Sequence, residues 1–220
     1  MTKRKSSQTN RLGDMANVLE ARSPNQEEYI RAIIESDVVI CTGPAGTGKS
    51  FVTSGISAEH LYNKKTKSII VTRPLVCAGK DIGAMPGEIS EKIKPYLTPM
   101  EENLRFFLGQ HNYRIYSDNQ RIRFVPLETM RGATFHNSYM ILDEAQNCTL
   151  DQIKMFITRM GENSKVLING DVDQTDIKHK SGLHVCVEKL CGIRGVGVVK
   201  LTHSDIQRNG IIGSILTALE

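Results

Sequence analysis

The sequence predicts an α/β fold in which helices cover both faces of a mainly parallel β-sheet. Short, wholly apolar runs alternate along the 220 residues with longer stretches of helical periodicity, which is typical of a buried parallel sheet between helices. A glycine-rich loop directly follows the first apolar run, and two acidic residues directly follow a later one. The length suits one domain, and 40% apolar residues are enough for a buried core.

The predicted elements follow one another in regular alternation. The first is a helix over 24–35, with Tyr29 and Ile33 on one face, and an apolar strand over 38–41 comes next. The remaining predicted strands are 68–72, 139–142, 165–169 and 197–201, and the remaining predicted helices are 50–61, 90–109, 149–160 and 205–218. The strands are short and apolar, as expected of strands covered on both faces.

The stretch 110–128 fits this alternation less clearly. Residues 113–115 and 121–125 are predicted to pair as a β-hairpin across 117–119. Such a hairpin would form an insertion or an edge of the sheet.

The glycine-rich loop over 43–50 reads GPAGTGKS and matches the phosphate-binding pattern GxxxxGK[ST] at every fixed position. Its glycines let backbone N–H groups approach phosphates, and the helix that follows adds a partial positive charge. We expect Lys49 to bridge the β- and γ-phosphates of a nucleoside triphosphate and Ser50 to bind Mg²⁺. The predicted nucleotide contacts are Gly43, Pro44, Ala45, Gly46, Thr47, Gly48, Lys49, Ser50 and Phe51.

Two acidic residues, Asp143 and Glu144, end the apolar run 139–142 in the Walker B arrangement. We expect Asp143 to hold Mg²⁺ through its water shell and Glu144 to polarise the attacking water as general base. Acidic residues at a strand end can also cap the next helix, but the phosphate loop upstream favours the metal-binding interpretation. A base at this position favours hydrolysis over a kinase reaction, in which the acceptor itself attacks.

A third polar element follows the predicted strand 165–169. Residues 170–174 read GDVDQ and match the pattern GDxxQ. We expect Gln174 to sense the γ-phosphate and to pass that state to a neighbouring surface. A Gly-Asp pair is also common in turns, so the motif alone is weak evidence. The prediction rests on its location, at the end of the strand that follows the one with Asp143 and Glu144.

The charge distribution suggests a separate N-terminal segment. The net charge is +4, and Lys3, Arg4, Lys5 and Arg11 lie in the polar stretch 1–22. We predict a flexible basic tail over this stretch, with a basic arm on RNA or DNA phosphates as the alternative. The five cysteines form no CxxC pair, and no apolar run is long enough to cross a membrane. We therefore expect a cytoplasmic protein that contacts no membrane.

Further motifs make the sequence more specific than the phosphate loop alone. They are TRP at 72–74, MPG at 85–87, PLETMRG at 126–132, ILDEAQN at 141–147, FITRMG at 156–161 and SGL at 181–183. With these motifs the chain resembles the PhoH-like ATPase family, relatives of the superfamily 1 helicase core, over about residues 24–218. The predicted tail thus precedes one PhoH-like domain over 23–220.

The resemblance implies a RecA-like P-loop NTPase fold and hydrolysis of ATP with Mg²⁺, linked in some members to RNA unwinding or RNA metabolism. It implies that Gln26 contacts adenine, for which a glutamine on a helix surface is the alternative. It also implies that Arg208 approaches the γ-phosphate, where an arginine offsets charge on the phosphoryl oxygens. A surface arginine on the last helix is the alternative for that position.

A single RecA-like domain would leave bound ATP exposed on one side, with water poorly excluded. We therefore predict a homo-oligomer, most simply a hexameric ring with its sites at subunit interfaces, as the family resemblance also suggests. The basic tail and 73–87 are expected to contact RNA or single-stranded DNA. The alternative is an ATP-dependent switch or scaffold that recruits a protein partner.

Overall fold

The computed structural model describes residues 12–74, 89–174 and 181–206, with the backbone alone for 89–96. The predicted basic residues of 1–11, the segment 75–88, and Arg208 with most of the predicted helix 205–218 lie outside the described residues. Within the described ranges, no helix combines the length and the apolar character that crossing a bilayer requires.

Helices and strands alternate along the chain. The helices are α1 (Pro24–Glu35), α2 (Lys49–Tyr62), α3 (Ile89–Asp118), α4 (Leu150–Ile157) and α5 (Gly182–Leu190). The strands are β1 (Val38–Thr42), β2 (Ser68–Thr72), β3 (Ile122–Phe124), β4 (Ser138–Leu142), β5 (Lys165–Gly170) and β6 (Val196–Lys200). Short 3-10 turns occupy Leu127–Met130, Ala145–Asn147 and His203–Asp205. The predicted strands are confirmed to within one residue at each end, and β3 lies within the stretch 121–125 predicted as one arm of a hairpin.

Over the described residues the sheet contains six strands in the order β3-β2-β4-β5-β1-β6. Every neighbouring pair runs parallel, so all the carboxyl ends lie along the same edge. Strand β5 lies between β4 and β1, and therefore the loops that follow these three strands meet near the middle of that edge. The predicted parallel sheet is confirmed, and this order determines which distant residues share a site.

Two apolar cores lie on opposite faces of the sheet. In β1, Val39 and Cys41 pack into the core beneath α1, α2 and α3, whereas Ile40 packs into the core beneath α4 and α5. All three side chains are fully buried. Because both faces are covered, the successive residues 38–41 of β1 are apolar instead of alternating with polar ones.

The predicted hairpin within 110–128 is wrong. Helix α3 continues to Asp118, and β3 pairs with β2 in parallel as an edge strand. Tyr113 and Tyr116 are both buried and are separated by one helical turn, so they cover the same core face. Gly109, with φ 76° and ψ 155°, is not helical and divides α3 at a kink, so the predicted helix end at 109 coincides with a break, after which a second helical segment runs to Asp118.

Helix α5 has no counterpart among the predicted elements. Val185 and Val187 favour a strand when taken in isolation, but Leu183 and Cys186 are buried at helical spacing. The helix also lies unusually close to α4, since a Cβ on Gly182 would come within 2.4 Å of the Leu150 backbone nitrogen. Tertiary packing therefore selects the helix here.

Residues 12–22 lie along α3 and belong to the packed domain. The Ala16 N–H donates to the Phe107 carbonyl over 2.9 Å, and the Asn112 amide exchanges hydrogen bonds with the Gly13 backbone. The apolar residues of this segment that contact the core are Leu12, Met15 and Leu19. The predicted boundary between tail and domain at residue 22 is therefore placed too late.

Candidate active site

The glycine-rich loop connects β1 to α2 at the carboxyl edge of the sheet. Gly43 and Gly48 have φ of 151° and 92°, in the region that favours glycine. A Cβ on Gly43 would lie 2.4 Å from the Leu201 carbonyl oxygen, and one on Gly48 would lie 2.7 Å from the Gln26 amide nitrogen. The loop therefore needs glycine at these positions both for its conformation and for the close approach of its neighbours.

The Lys49 ammonium lies across this loop. It donates to the Pro44 carbonyl oxygen at 2.9 Å and also to the Gly43 carbonyl oxygen. Lys49 is the first residue of α2, so its charge adds to the partial positive charge of the helix N-terminus. The loop thus concentrates positive charge where an anionic ligand would enter.

Ser50 and Asp143 are in direct contact although they are far apart in the sequence. The Ser50 hydroxyl donates a 2.7 Å hydrogen bond to Asp143 Oδ1, and only 5% of Asp143 is exposed. Burial raises the pKa of Asp143 above its ordinary value and the neighbouring Glu144 raises it further, while the Ser50 hydrogen bond opposes both effects. A cation beside this carboxylate would relieve the cost of burying its charge.

These two side chains fit a magnesium ion by their chemistry. Both offer oxygen atoms, which are the ligands that Mg²⁺ prefers, and both face the same loop. Few protein ligands are needed, because Mg²⁺ keeps several waters and takes further oxygens from phosphates. Ser50 and Asp143 are therefore the residues that would hold this ion.

Glu144 adopts a backbone conformation that is rare outside glycine, with φ 55° and ψ 41°. In the part of the chain that the structure describes, side chains from two loops contact its carboxylate. The Gln146 amide donates to Oε2 at 2.6 Å, and the Arg73 guanidinium lies 3.4 Å from Oε1. Arg73 directly follows β2, so side chains from two strand ends hold this acid.

The end of β5 completes the site. The Asp171 N–H donates to Gln146 Oε1 at 3.1 Å, and Asp171 Oδ1 accepts from the Asp173 N–H at 3.0 Å. Gln174 follows in the same loop and is exposed, with its side chain at the wall of the cavity described next. The turn after β5 is thereby fixed against the residues that follow β4.

A cavity of about 270 Å³ opens between these loops. Its lining residues are Ala45, Gly46, Gly48, Lys49, Ser50, Phe51, Asp143, Glu144, Gln146, Gly170, Asp171 and Gln174. The structure thus brings together the predicted Lys49, Ser50, Asp143, Glu144 and Gln174, with Ala45, Gly46, Gly48 and Phe51 of the predicted nucleotide contacts. The loop residues Gly43, Pro44 and Thr47 do not line this cavity, and neither does Gln26.

Gln26 lies behind the loop and is 3% exposed. Its side-chain amide donates to the Thr47 carbonyl at 2.9 Å, and its oxygen accepts from the Arg22 N–H at 2.9 Å. The residue is therefore not the surface glutamine that the sequence left as an alternative. Its contact with adenine stays a prediction.

Phe51 forms an aromatic wall of the cavity. Its ring centroid lies 4.7 Å from that of Phe107 and 5.6 Å from that of Phe106, and the Arg22 guanidinium lies 5.9 Å from the ring centre. Phe106 is 47% exposed, which is unusual for so large an apolar side chain. The rings provide an apolar surface beside the phosphate loop.

Two residues of the site, Arg73 and Gln146, received no individual role from the sequence. They occur within the TRP and ILDEAQN motifs, so their motifs were the available signal. What the motifs do not reveal is that Arg73 and Gln146 meet at the Glu144 carboxylate. That meeting depends on the strand order.

A family model described as "PhoH-like protein" matches residues 18–220. The chain belongs to the PhoH-like protein family. It is 40% identical over 204 residues to a PhoH-like protein of Bacillus subtilis (strain 168), covering 92% of this chain and 64% of that protein. It is 39% identical over 202 residues to Protein PhoH of Escherichia coli (strain K12), covering 90% of this chain and 57% of that protein. The chain thus spans less than two thirds of the length of these PhoH-like relatives.

Among solved structures, the PhoH-like chain is similar to the large terminase of a thermophilic bacteriophage in complex with ADP. The TM-score is 0.53 at 13% identity, and the likeness covers 90% of this chain and 50% of that one. At this identity the likeness concerns the fold alone. The predicted RecA-like P-loop NTPase fold is confirmed, as a single domain with a parallel sheet between helices.

Proposed function

We propose that this chain is an ATPase that requires Mg²⁺ and couples hydrolysis to binding or remodelling RNA or single-stranded DNA. One observation carries the proposal: an ammonium group, a hydroxyl–carboxylate pair and a second acid line the same cavity. They come from the loops after β1 and β4, which the sheet order brings within reach of each other. Membership of the PhoH-like family adds support.

Substrate binding would begin at the phosphate loop. The Lys49 ammonium would exchange the Gly43 and Pro44 carbonyl oxygens for phosphate oxygens, which carry more negative charge. The N-terminus of α2 would strengthen this attraction. Phe51 would shield the remainder of the nucleotide on its apolar side.

Metal binding would fall to Ser50 and Asp143, whose contact leaves both oxygens facing the loop. When bound, Mg²⁺ supplies positive charge that neutralises phosphoryl oxygens. Asp143 is already buried, so its carboxylate needs no further desolvation to meet a cation. The same pair fixes α2 relative to β4.

Hydrolysis would depend on Glu144 and Gln174. Glu144 would orient the attacking water and accept its proton, since its carboxylate is held at the cavity wall and remains 37% exposed. Gln174 would respond to the γ-phosphate from the loop that follows β5. Arg208, which lies outside the described residues, is proposed to offset developing charge, either within the subunit or from a neighbour.

Coupling to nucleic acid is supported by the position of Arg73. This residue contacts Glu144 and lies in the stretch 73–87, which we propose, together with the basic tail, as a contact for RNA or single-stranded DNA. Nucleic acid bound there would affect the general base Glu144 through its contact with Arg73. We also propose a homo-oligomer, most simply a hexameric ring in the cytoplasm, because one domain leaves the cavity open to solvent.

The test compares ATP turnover of the wild type with Lys49→Ala and Glu144→Gln, each with Mg²⁺ or with EDTA. Lys67→Ala is the matched control, because Lys67 is exposed. We expect Lys49→Ala to lose ATP binding and Glu144→Gln to bind ATP but to retain only a small residual turnover. Wild-type turnover no higher than that of Lys49→Ala would refute the ATPase proposal.

A second assay adds homopolymeric RNA or single-stranded DNA and measures the native mass with ATP present. Stimulated turnover and a ring-sized mass are expected. Turnover that ignores both polymers would instead favour the ATP-dependent switch or scaffold. A monomer at micromolar concentration would contradict the ring.

A further inference from the structure

The Gln146 side chain connects the loop after β4, which carries Glu144, to the loop after β5, which carries Gln174. Its Nε2 donates to Glu144 Oε2 at 2.6 Å, and its Oε1 accepts from the Asp171 N–H at 3.1 Å. The residue is 6% exposed, so these groups are largely removed from water. Hydrogen bonds in such a setting are costly to break.

The orientation of this amide follows from its partners. A backbone N–H needs an acceptor and a carboxylate needs a donor, so only one of the two amide orientations satisfies both. With Oε1 on Asp171, Nε2 must face Glu144. Gln146 therefore presents a donor to the acid only as long as the loop after β5 holds its oxygen.

The close approach of the two loops depends on Gly170. A Cβ at this position would lie 2.8 Å from Gln146 Oε1 and 3.0 Å from the Gln146 backbone nitrogen. A side chain here would thus push Gln146 away from β5. The glycine of the GDxxQ motif therefore leaves room for this amide.

Glu144 needs such support because its backbone is in the left-handed region and its side chain is partly exposed. A glutamate side chain has several staggered rotamers, so a contact that selects one of them fixes the direction of the carboxylate. The Gln146 amide holds Oε2, while Arg73 lies beside Oε1. Of these two partners, Gln146 has the shorter contact and the fixed orientation.

We propose that Gln146 is the positioning residue of the hydrolytic base Glu144. It makes the orientation of the Glu144 carboxylate depend on the loop that carries Gln174. This inference rests on the proposed ATPase function and deepens it. Movement of the Asp171 N–H releases Gln146 Oε1 and thereby loosens the donor on Glu144. The state of the γ-phosphate at Gln174 then reaches the base through two hydrogen bonds.

The consequence is a separation of turnover from binding. Neither Glu144 nor Asp171, the two described partners of the Gln146 amide, belongs to the phosphate loop, so we expect Gln146→Ala to change turnover more than ATP affinity. Gln146→Ala is expected to lower kcat by about 10–100-fold, a part of what a positioned base contributes. KM and the Kd for ATP stay within about 3-fold, because ground-state contacts are retained.

Two further variants distinguish the hydrogen bond that the Gln146 amide donates to Glu144 from the one that it accepts from Asp171. Gln146→Glu keeps an acceptor for Asp171 but puts a second carboxylate beside Glu144, and it is expected to lose at least as much kcat as Gln146→Ala. Gln146→Met keeps the volume and loses both bonds, and a thermal melt shows whether it folds. Gln110→Ala, an exposed glutamine on α3, is the matched control.

The decisive measurement is a double-mutant cycle with Glu144→Gln. If Gln146 acts through Glu144, Gln146→Ala has no further effect on the residual turnover of Glu144→Gln. An equal loss in both backgrounds, an unchanged kcat in the folded variants, or a rise in KM matching the fall in kcat would overturn the inference. Wild-type turnover that requires Lys49 and Glu144 in the same assay keeps the ATPase proposal intact if Gln146 fails.

Discussion

The Gln26 side chain donates a 2.9 Å hydrogen bond to the Thr47 carbonyl oxygen, so α1 supports the phosphate loop from behind the cavity. Its own oxygen accepts from the Arg22 N–H, which fixes the amide orientation. Gly48 makes room for this contact, because a Cβ there would collide with the amide nitrogen. The loop conformation thus depends on a residue outside the loop.

Replacing Gln26 tests this support. Gln26→Ala is expected to weaken triphosphate binding by about 3–10-fold, the equivalent of one hydrogen bond of about 0.5–1.5 kcal/mol. Gln26→Glu keeps the acceptor for Arg22 but sets a carboxylate against the Thr47 carbonyl, and it is expected to be worse. The measurement is the Kd for ATP and for inorganic tripolyphosphate, which has no base.

The two ligands separate loop support from recognition of adenine. If Gln26 acts by supporting the loop, its replacement weakens the binding of ATP and of tripolyphosphate alike. A loss confined to ATP, with tripolyphosphate unchanged, would show instead that Gln26 reads the adenine base. Gln110→Ala again serves as the control, because this glutamine is exposed and does not line the cavity.

Local motifs predicted the parts of the site that lie close together in the sequence. Lys49 and Ser50 are fixed by the spacing of the phosphate loop, and Asp143 and Glu144 by their place after an apolar strand. The contact of Ser50 with Asp143 was expected from the metal ion that both residues were predicted to bind. The roles of Gln146 and Arg73 were not predictable in this way, because both depend on β4 lying between β2 and β5.

The errors in the fold have the same origin. Tyr113 and Val185 both favour strands by residue type, but each lies in a helix whose buried face is set by packing. Gly109 interrupts the first of these helices, and Gly182 begins the second. Tertiary contacts at such glycines override local propensity, and a single sequence does not show them.

The Asp143 carboxylate is expected to lower the stability of the metal-free protein while being needed for ATP turnover. The residue is 5% exposed and lies beside Glu144, so its charge is costly in the absence of a cation. Asp143→Asn keeps the shape and the hydrogen-bonding capacity toward Ser50 while removing that charge. We expect the metal-free variant to be more stable by about 1 kcal/mol, or about 2–4 °C in melting temperature, and to lose ATP turnover.

Thermal melts with EDTA and with Mg²⁺ check this expectation. Mg²⁺ with ATP is expected to stabilise the wild type but not Asp143→Asn. Asp14→Asn, at an exposed position, controls for a general effect of removing negative charge. A lower melting temperature for Asp143→Asn than for the wild type under EDTA would contradict the proposed cost.

His60 links the stability of the sheet to pH. Its Nδ1 lies 2.7 Å from the Tyr139 hydroxyl, and burial, followed by the charge of Lys65, lowers the pKa of His60 below 6.5. A lowered pKa means that the folded protein binds this proton less readily than the unfolded chain. The contribution of His60 to stability is therefore present above about pH 6.5 and is lost as the pH falls through its folded pKa.

Chemical unfolding at about pH 5 and about pH 8 checks this sign. The wild type is expected to lose more stability on acidification than His60→Gln, which has no proton to gain. His203→Gln, at an exposed position, should follow the wild type. Equal pH dependence of the wild type and His60→Gln would exclude His60 as the source.

A buried polar chain beneath the phosphate loop provides the last prediction. The Tyr29 hydroxyl donates to Asn169 Oδ1 at 2.5 Å, and the Asn169 amide donates to the Thr53 hydroxyl at 3.2 Å. Burial raises the pKa of Tyr29 well above its ordinary value, so the hydroxyl stays protonated and remains a donor. This chain connects α1, β5 and α2 directly below the site.

Tyr29→Phe leaves the Asn169 oxygen buried without this donor, at a cost of about 1–3 kcal/mol. Each kcal/mol corresponds to about 2–4 °C in melting temperature for a chain of this size. Tyr62→Phe removes a hydroxyl from a partly buried residue on α2 and is the matched control. Because Tyr29 does not line the cavity, we expect the melting temperature to fall while kcat, measured well below that temperature, stays close to the wild-type value. A Tyr29→Phe protein that melts with the wild type but turns over more slowly would place Tyr29 in the chemistry, since an effect through the fold requires loss of stability.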